Sequence, residues 1–302
     1  MNAGSKLRLG TSEKDGTFWS QGTSIATLFE RDHAIAVEVL DAGQASIENA
    51  RRLDAGLIDL GFMASNWIGR AYGGGTPFDA PIEIRNVAPA NSGAMFFIVR
   101  ADSPLRTVRD MIGKRIAIGP EGSGMVQHIH TIFSVLGISF GDFTPVYLSF
   151  EDGGAALAAG GVDAQWQCPY PNAVMRDISE RSDIRVLDYD GGDLAAVLGA
   201  VDFYRHAVMP AGFFRGLDAA TEQLAVVNIV AAHRDTDPEI VRKFVTTMIS
   251  NPAELTEINA LFRGLGDLFE PLRSSGAAAL EFGGVPLHPG ALQAYREAGF
   301  LS

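Results

Sequence analysis

Residues 114–130, KRIAIGPEGSGMVQHIH, place a short apolar run, Arg115 to Ile118, directly before a glycine-rich loop that opens into a helical pattern. Such a junction aims backbone N–H groups and a helix N-terminus at one small volume, which suits an anion. Three ways of processing an anion fail on spacing. A phosphate-cradling P-loop needs G-x-x-x-x-G-K-[ST]; Gly119 and Gly124 have the right separation, but Met125 stands where the lysine should be. The dinucleotide fingerprint G-x-G-x-x-G is replaced by G-x-x-G-x-G. A nucleophile elbow needs glycines two residues either side of the serine, and Ser123 has Glu121 and Met125 there. The loop suits holding an anion, with Gly122, Ser123, Gly124 and Met125 as its contacts.

Other polar segments have the same character. TSEKDGTFW offers Thr11, Ser12 and Thr17 hydroxyls with Phe18 and Trp19 at a helix start, and ASNW offers Ser65 and Asn66 beside Trp67. Ordinary N-capping also explains Ser, Thr and Asn at such places. QWQCPYPNAV leaves a strand, turns through two prolines and begins a helix, placing Trp166, Tyr170 and Asn172 at a sheet end. One aromatic there is core packing; the cluster suits a flat, partly apolar ligand surface. His128 and His130 lie two apart on a helix, so they face different ways and cannot share a metal. With no HExxH and no Cys/His cluster, neither a metal nor any other cofactor is expected. Glu151-Asp152, Asp235 and Asp237 stand at helix starts, where the macrodipole favours them without acid–base work. Lys14, Arg70 and Arg205, or His206 beside it, could supply a countercharge, though each is more often a solvated surface group.

The elements that must position these residues alternate. Strands are expected at 7–11, 34–40 and 57–64, with helices at 19–30 and 46–55 between them. The middle third repeats the pattern, with strands at 115–118, 145–149, 164–168 and 185–188 and helices at 124–136 and 152–159. After a strand at 226–231 come helices at 238–249, 252–261 and 289–297, each beginning at a proline. Such βαβ alternation implies parallel sheets. Leu53–Asp59 and Leu157–Asp163 share L-x-A-G-x-x-D, each in the second strand-to-strand crossover of its own αβ run. The echo implies two similar lobes: residues 1–101 with 223–302, and residues 102–222. Ligands of open parallel sheets bind beyond the carboxyl ends of the strands, which directs segments 11–19, 42–46, 64–67 and 119–125 at a cleft.

Composition narrows the class. A chain of 302 residues, 47% hydrophobic, fits two compact units with sizeable cores. A formal charge of −12 argues against nucleic acid or an anionic membrane as partner. The single cysteine, Cys168, allows no intrachain disulfide, and no apolar run approaches a membrane span. MNAGSKLRLG lacks an apolar signal core. The expectation is a periplasmic chain whose signal has been removed, or a cytoplasmic one if Met1 is the native start.

In this order the motifs resemble a family: the TAXI-type solute-binding proteins of tripartite ATP-independent periplasmic (TRAP) transporters, within the wider NMT1/THI5-like group. Gly16-Thr17-Phe18-Trp19 is similar to the family's G-T-Y-Y opening, and Asp41–Asn49, with Gln44, to its T-G-G-S-x-E-N helix start. Phe97–Ser103 with Gly113–Gly119 resembles its crossover and second-lobe strand. Gly122-Ser123-Gly124, Tyr147–Phe150, Pro171–Ala173, Pro210–Gly212 and Pro286–Ala291 continue the match. The resemblance implies an α/β, two-lobed periplasmic-binding-protein fold of type II that closes on a small organic carboxylate. It implies delivery of that carboxylate to a TRAP-type permease, by a monomer that is not an enzyme. Glu13-Lys14-Asp15 departs from a loop usually richer in glycine, and Trp19, Trp67 and Trp166 suggest a larger or more aromatic ligand. The alternative is a cytosolic enzyme on the same fold acting on a small carboxylated substrate.

Overall fold

A computed structural model describes residues 6–14, 16–121, 123–167 and 172–302. The expected contacts Gly122 and Tyr170 lie outside the described residues, as does Cys168. The chain forms two compact units. Unit 1 combines the residues up to Ser92 with Val227–Ser302, and unit 2 is Gly93–Val226. The crossings therefore fall earlier than the expected 101/102 and later than the expected 222/223.

Unit 1 begins as βαβαβ: β1 (Leu7–Gly10), α1 (Thr17–His33), β2 (Val37–Leu40), α2 (Ala45–Asp54) and β3 (Leu60–Ala64). There follow α3 (Ser65–Gly73) and β4 (Ile84–Met95), which carries the chain into unit 2. Unit 2 holds β5 (Phe97–Arg100), β6 (Arg115–Ala117), α4 (Gly124–Leu136), β7 (Thr144–Val146), α5 (Phe150–Ala158) and β8 (Ala164–Trp166). It continues through α6 (Ala173–Arg181), β9 (Ile184–Val186), α7 (Asp193–Ala200) and β10 (Tyr204–Met209). The long strand β11 (Thr221–His233) returns the chain to unit 1, which ends with α8 (Pro238–Ser250), α9 (Pro252–Ile258), α10 (Pro271–Ser275) and α11 (Pro289–Glu297).

The two sheets repeat one design. β2, β1 and β3 run parallel, and the antiparallel β11 pairs with β3. In unit 2, β7, β6 and β8 run parallel and the antiparallel β5 pairs with β8. Residues 97–100 form β5 of the unit 2 sheet, and β11 lies against β3 and β4.

The sequence echo has a physical cause. Asp59 accepts from the backbone N–H of Arg8 at 2.8 Å and from its guanidinium, while Arg8 also donates to the Gly56 carbonyl. Asp163 accepts from the Arg115 N–H at 2.8 Å and from its guanidinium, and Arg115 donates to the Gly160 carbonyl. Gly56 and Gly160 both have positive φ, 64° and 75°, the left-handed conformation that ends the helix before each turn at least cost. Each aspartate thus ties β1 or β6 to the turn that leads into its parallel neighbour, β3 or β8.

In unit 1, α11 packs on α8 and α8 on α1, over a core that includes Phe29, Phe62, Phe244 and Tyr295. A core of unit 2 includes Phe96, Met175 and Phe214. His288 caps α11 by accepting from the Gly290 N–H at 3.2 Å, and burial pulls its pKa down to about 4. The unfolded chain would take up that proton near pH 6.5. Stability is therefore expected to fall as pH drops from about 6.5 to about 4 and then level off, by on the order of 3 kcal/mol from this group. Urea titrations at pH 7.5 and 4.5 on wild type and His288→Asn, which keeps a capping oxygen, measure it. An equal acid loss in the variant would remove His288 as the cause.

Candidate functional site

In unit 1 the carboxyl ends of β1 and β3 are tied down by α2. Asn49 donates its amide N–H groups to the carbonyls of Thr11 (2.7 Å) and Phe62 (2.9 Å), and Ser46 Oγ accepts from the Ala64 N–H at 3.0 Å. These bonds set where the two loops leave the sheet. Thr11, expected as a contact, is buried and its hydroxyl donates to the Leu40 carbonyl at 2.8 Å, a strand-to-strand tie. Ser12 Oγ accepts from the Trp19 N–H at 3.2 Å, and Thr17 stands exposed at the first turn of α1. Phe18 belongs to the core, stacked on Phe62 with ring centroids 5.4 Å apart, which corrects its expected role as a ligand aromatic. The neighbouring Trp19 is half-buried, with the Lys14 ammonium 5.8 Å from its ring.

Gln44 is exposed and its N–H donates to the Glu48 carboxylate at 3.2 Å. The segment after β3 is the start of α3. Ser65 is buried and its hydroxyl accepts from the Val227 N–H at 3.3 Å. Asn66 is also buried, and its Oδ1 has no partner among the described residues. Trp67 is half-buried beneath the Arg70 guanidinium, 5.2 Å from the ring. Lys14 and Arg70 thus lie over indole rings, an arrangement that keeps a cation close to an apolar surface.

Three further amides join this region. Asn91 Oδ1 accepts from Gln21 Nε2 at 3.1 Å and from Asn228 Nδ2 at 3.0 Å. In the β11–β3 register Asn228 lies opposite Ala64, next to Ser65 and Asn66. Sequence reasoning missed Gln21, Asn91 and Asn228, because an amide in a helix or strand belongs to no motif.

In unit 2 three helices begin where three parallel strands end: α4 after β6, α5 after β7 and α6 after β8. Each has a side-chain cap. Ser123 Oγ accepts from Val126 N–H (3.4 Å), Ser149 Oγ from Asp152 N–H (3.0 Å), and Asn172 Oδ1 from Met175 N–H (2.7 Å). Gly124 and Met125 open α4, so their N–H groups lack an intrahelical acceptor. The strand turns into the loop at Gly119, whose φ of 96° suits glycine. A Cβ there would stand 3.3 Å from the ring of Phe150 and 3.5 Å from Ser123 Oγ, so Phe150 borders the loop, an aromatic not singled out from the sequence as a contact.

Trp166 is fully buried against Phe97, with ring centroids 4.5 Å apart. It is a core residue rather than a ligand surface, a second correction. The pairing of Ala117 with Gln165 puts Gln167 level with Gly119. Gln167 is 0% exposed, and neither atom of its amide has a partner among the described residues. Nor does Trp166 Nε1.

The histidines occupy separate surroundings. His128 Nδ1 lies 2.7 Å from the Tyr204 hydroxyl, while His130 stacks on Phe140 at 3.7 Å. Arg205 donates to the carbonyls of Asp202 and Tyr204, and burial lowers its pKa. His206 is exposed, 3.7 Å from Glu222. No helix among the described residues is long and apolar enough to cross a membrane.

Comparison with known proteins places this arrangement. The aliphatic sulfonates-binding protein of Escherichia coli (strain K12) is 33% identical over 110 residues, 36% of this chain and 32% of that protein. The match thus spans about a third of that relative's length. The crystal structure of the periplasmic aliphatic sulphonate binding protein from Escherichia coli superposes with a TM-score of 0.51 at 21% identity, covering 99% of this chain and 83% of that one. A periplasmic sulfonate-binding protein of a sulfonate ABC transporter from Methylobacillus flagellatus KT gives 0.57 at 16% identity, covering 98% and 95%. A TctC solute binding protein from Polaromonas gives 0.57 at 14% identity, covering 88% and 89%. The fold is α/β and is shared with the two-lobed periplasmic binding proteins. The match to the NMT1-like family covers residues 9–299, and the chain belongs to that family.

Proposed function

We propose that the protein is an extracytoplasmic solute-binding protein that captures a small organic acid and delivers it to a membrane permease. The observation that carries this reading is the carboxyl edge of the parallel strands in unit 2. There the open amides of Gly124 and Met125, the Ser123 hydroxyl and the amide of Gln167, without a partner among the described residues, lie about the end of β6. A hydroxyl accepting from Val126 still has its own hydrogen to give. In a chain of net charge −12, such local dipoles supply an attraction for an anion that the overall charge does not.

The head group is a carboxylate or a sulfonate. The first follows the resemblance in motif order, and the second is supported by the aliphatic sulfonates-binding relative. Trp19 and Trp67, half-buried and each with a cation over the ring, are the contacts proposed for the solute's apolar body. Ser12, Thr17 and Gln44 are proposed to line the same end of unit 1, and Asn172 that of unit 2. The motif order favours a TRAP-type permease of the TAXI kind. An ABC-type permease is the second reading, supported by the sulfonate ABC transporter protein that shares the fold.

The test is calorimetry with alkanesulfonates, aliphatic dicarboxylates, amino acids and aromatic carboxylates. Ser123→Ala is expected to weaken the best acid about ten- to a hundredfold, since a charge-assisted hydrogen bond contributes roughly 1.5–3 kcal/mol. Ser123→Gly, which costs the helix only a few tenths of a kcal/mol as a cap, separates ligand loss from helix loss. The bound acid is expected back unchanged. A best ligand that is a cation or a neutral sugar, or chemical conversion of the acid by the isolated chain, defeats the reading.

A further inference from the structure

We propose that Gln21, Asn66, Asn91 and Asn228 form a subsite in unit 1 that takes a hydrogen-bond-donating group of the solute, a hydroxyl or an amine, rather than its acid head. This rests on the solute-binding reading above. The four amides come from four elements: α1, the first turn of α3, β4 and β11. They gather where β3 ends, because Asn228 pairs with Ala64 and the Ser65 hydroxyl takes the Val227 N–H.

The direction of the network decides what it recognises. Asn91 Oδ1 is a double acceptor, taking Gln21 Nε2 and Asn228 Nδ2. Gln21 is thereby committed as a donor on one side and presents its carbonyl on the other. That carbonyl, Gln21 Oε1, is buried and has no partner among the described residues, and the same is true of Asn66 Oδ1. A pair of buried, unmatched acceptors repels a carboxylate or sulfonate oxygen and favours an O–H or N–H. Gln21 and Asn66 are therefore specificity-determining residues. The solute they fit is an acid that also bears a hydroxyl or amino substituent.

The experiment is calorimetry on the full chain with a matched series: ethanesulfonate, 2-hydroxyethanesulfonate, 2-aminoethanesulfonate and 2-methoxyethanesulfonate, alongside propanoate and 3-hydroxypropanoate. The hydroxyl and amino compounds are expected to bind about 10- to 100-fold tighter than their parents in at least one head-group series. The methoxy compound, an acceptor only, is expected to gain nothing. Gln21→Met, close in shape but without the amide, is expected to bring the hydroxyl-to-parent affinity ratio to about one. Asn66→Ala serves the same comparison from the other orphan carbonyl. Equal affinities across the series overturn the inference, as does a ratio that survives both substitutions. A preference for the methoxy compound also overturns it, and would mean that the three linked amides are turned over and present N–H groups. Acids that bind without discrimination defeat only this inference. If no acid binds to the wild-type chain, the solute-binding reading fails and the subsite with it.

Discussion

Trp166→Ala is expected to lower stability by about 3–5 kcal/mol, the usual cost of emptying a fully buried aromatic site. The indole is 0% exposed and packs on Phe97 in the middle of the unit 2 sheet, where β8 lies between β6 and β5. Its neighbours are strands, which cannot collapse into the space as a loop could. Trp166→Phe is expected to recover most of the loss, since it keeps the ring contact and removes a buried N–H that has no partner among the described residues. Trp19→Ala and Trp67→Ala should each cost much less stability, because both side chains are half-buried, and should act on solute affinity. Urea unfolding followed by circular dichroism, paired with calorimetry on the folded variants, separates the two behaviours. A stable Trp166→Ala protein that has lost its ligand selectively would return Trp166 to the binding surface.

That contrast shows what sequence could and could not give. The helix at 124–136 was legible to the residue because its ends are marked, by Ser123 as cap and by Gly137 in the left-handed conformation. Pro289 fixed the start of the last helix in the same way. The repeated L-x-A-G-x-x-D was legible as a turn, and its reason, an arginine on the neighbouring parallel strand (β1 or β6), needed the fold. β4 was missed because Pro89, Asn91 and Gly93 interrupt it, residues that read as loop and are tolerated here in a long, mostly buried strand. α3 was missed because Ser65-Asn66 reads equally as a loop and as a helix start.

At the site, residue type was legible and direction was not. Thr11 and Thr17 look alike in sequence, yet one hydroxyl is consumed by Leu40 and the other is exposed. Phe18 and Trp19 are neighbours on one helix, and the helical turn sends the first into the core and the second outward. Gln21, Asn91 and Asn228 gave no signal at all, because their meaning comes from tertiary contact.

Asn49 is where fold and site depend on one side chain, and Asn49→Asp is expected to be among the most damaging single substitutions. The side chain is 0% exposed and its N–H groups serve two carbonyls, those of Thr11 and Phe62. Aspartate matches its shape and removes both donors, so two buried acceptors lose their partner and face a carboxyl oxygen. At about 1–3 kcal/mol for each unsatisfied group, the loss at pH 7 is about 3–5 kcal/mol. The loss should depend on pH with a defined sign. Burial among acceptors raises the new carboxyl's folded pKa above its unfolded value near 3.9. Between those two values the folded state holds a proton that the unfolded state has released, so stability falls as pH rises, by up to about 1.4 kcal/mol per unit. Below that window the protonated acid can donate one hydrogen bond and part of the loss is regained. Asn49→Ala also abandons both carbonyls but has no proton to exchange, so its deficit relative to wild type should be flat with pH. Unfolding midpoints of the three proteins at pH 5, 6.5 and 8 measure this. Solute affinity of whatever remains folded should fall in both variants, because the segments carrying Ser12, Trp19, Asn66 and Trp67 leave the sheet at the two strands Asn49 joins. An Asn49→Asp deficit that runs parallel to that of Asn49→Ala at every pH would show that the carboxyl has found water, and that the junction of β1 and β3 is open.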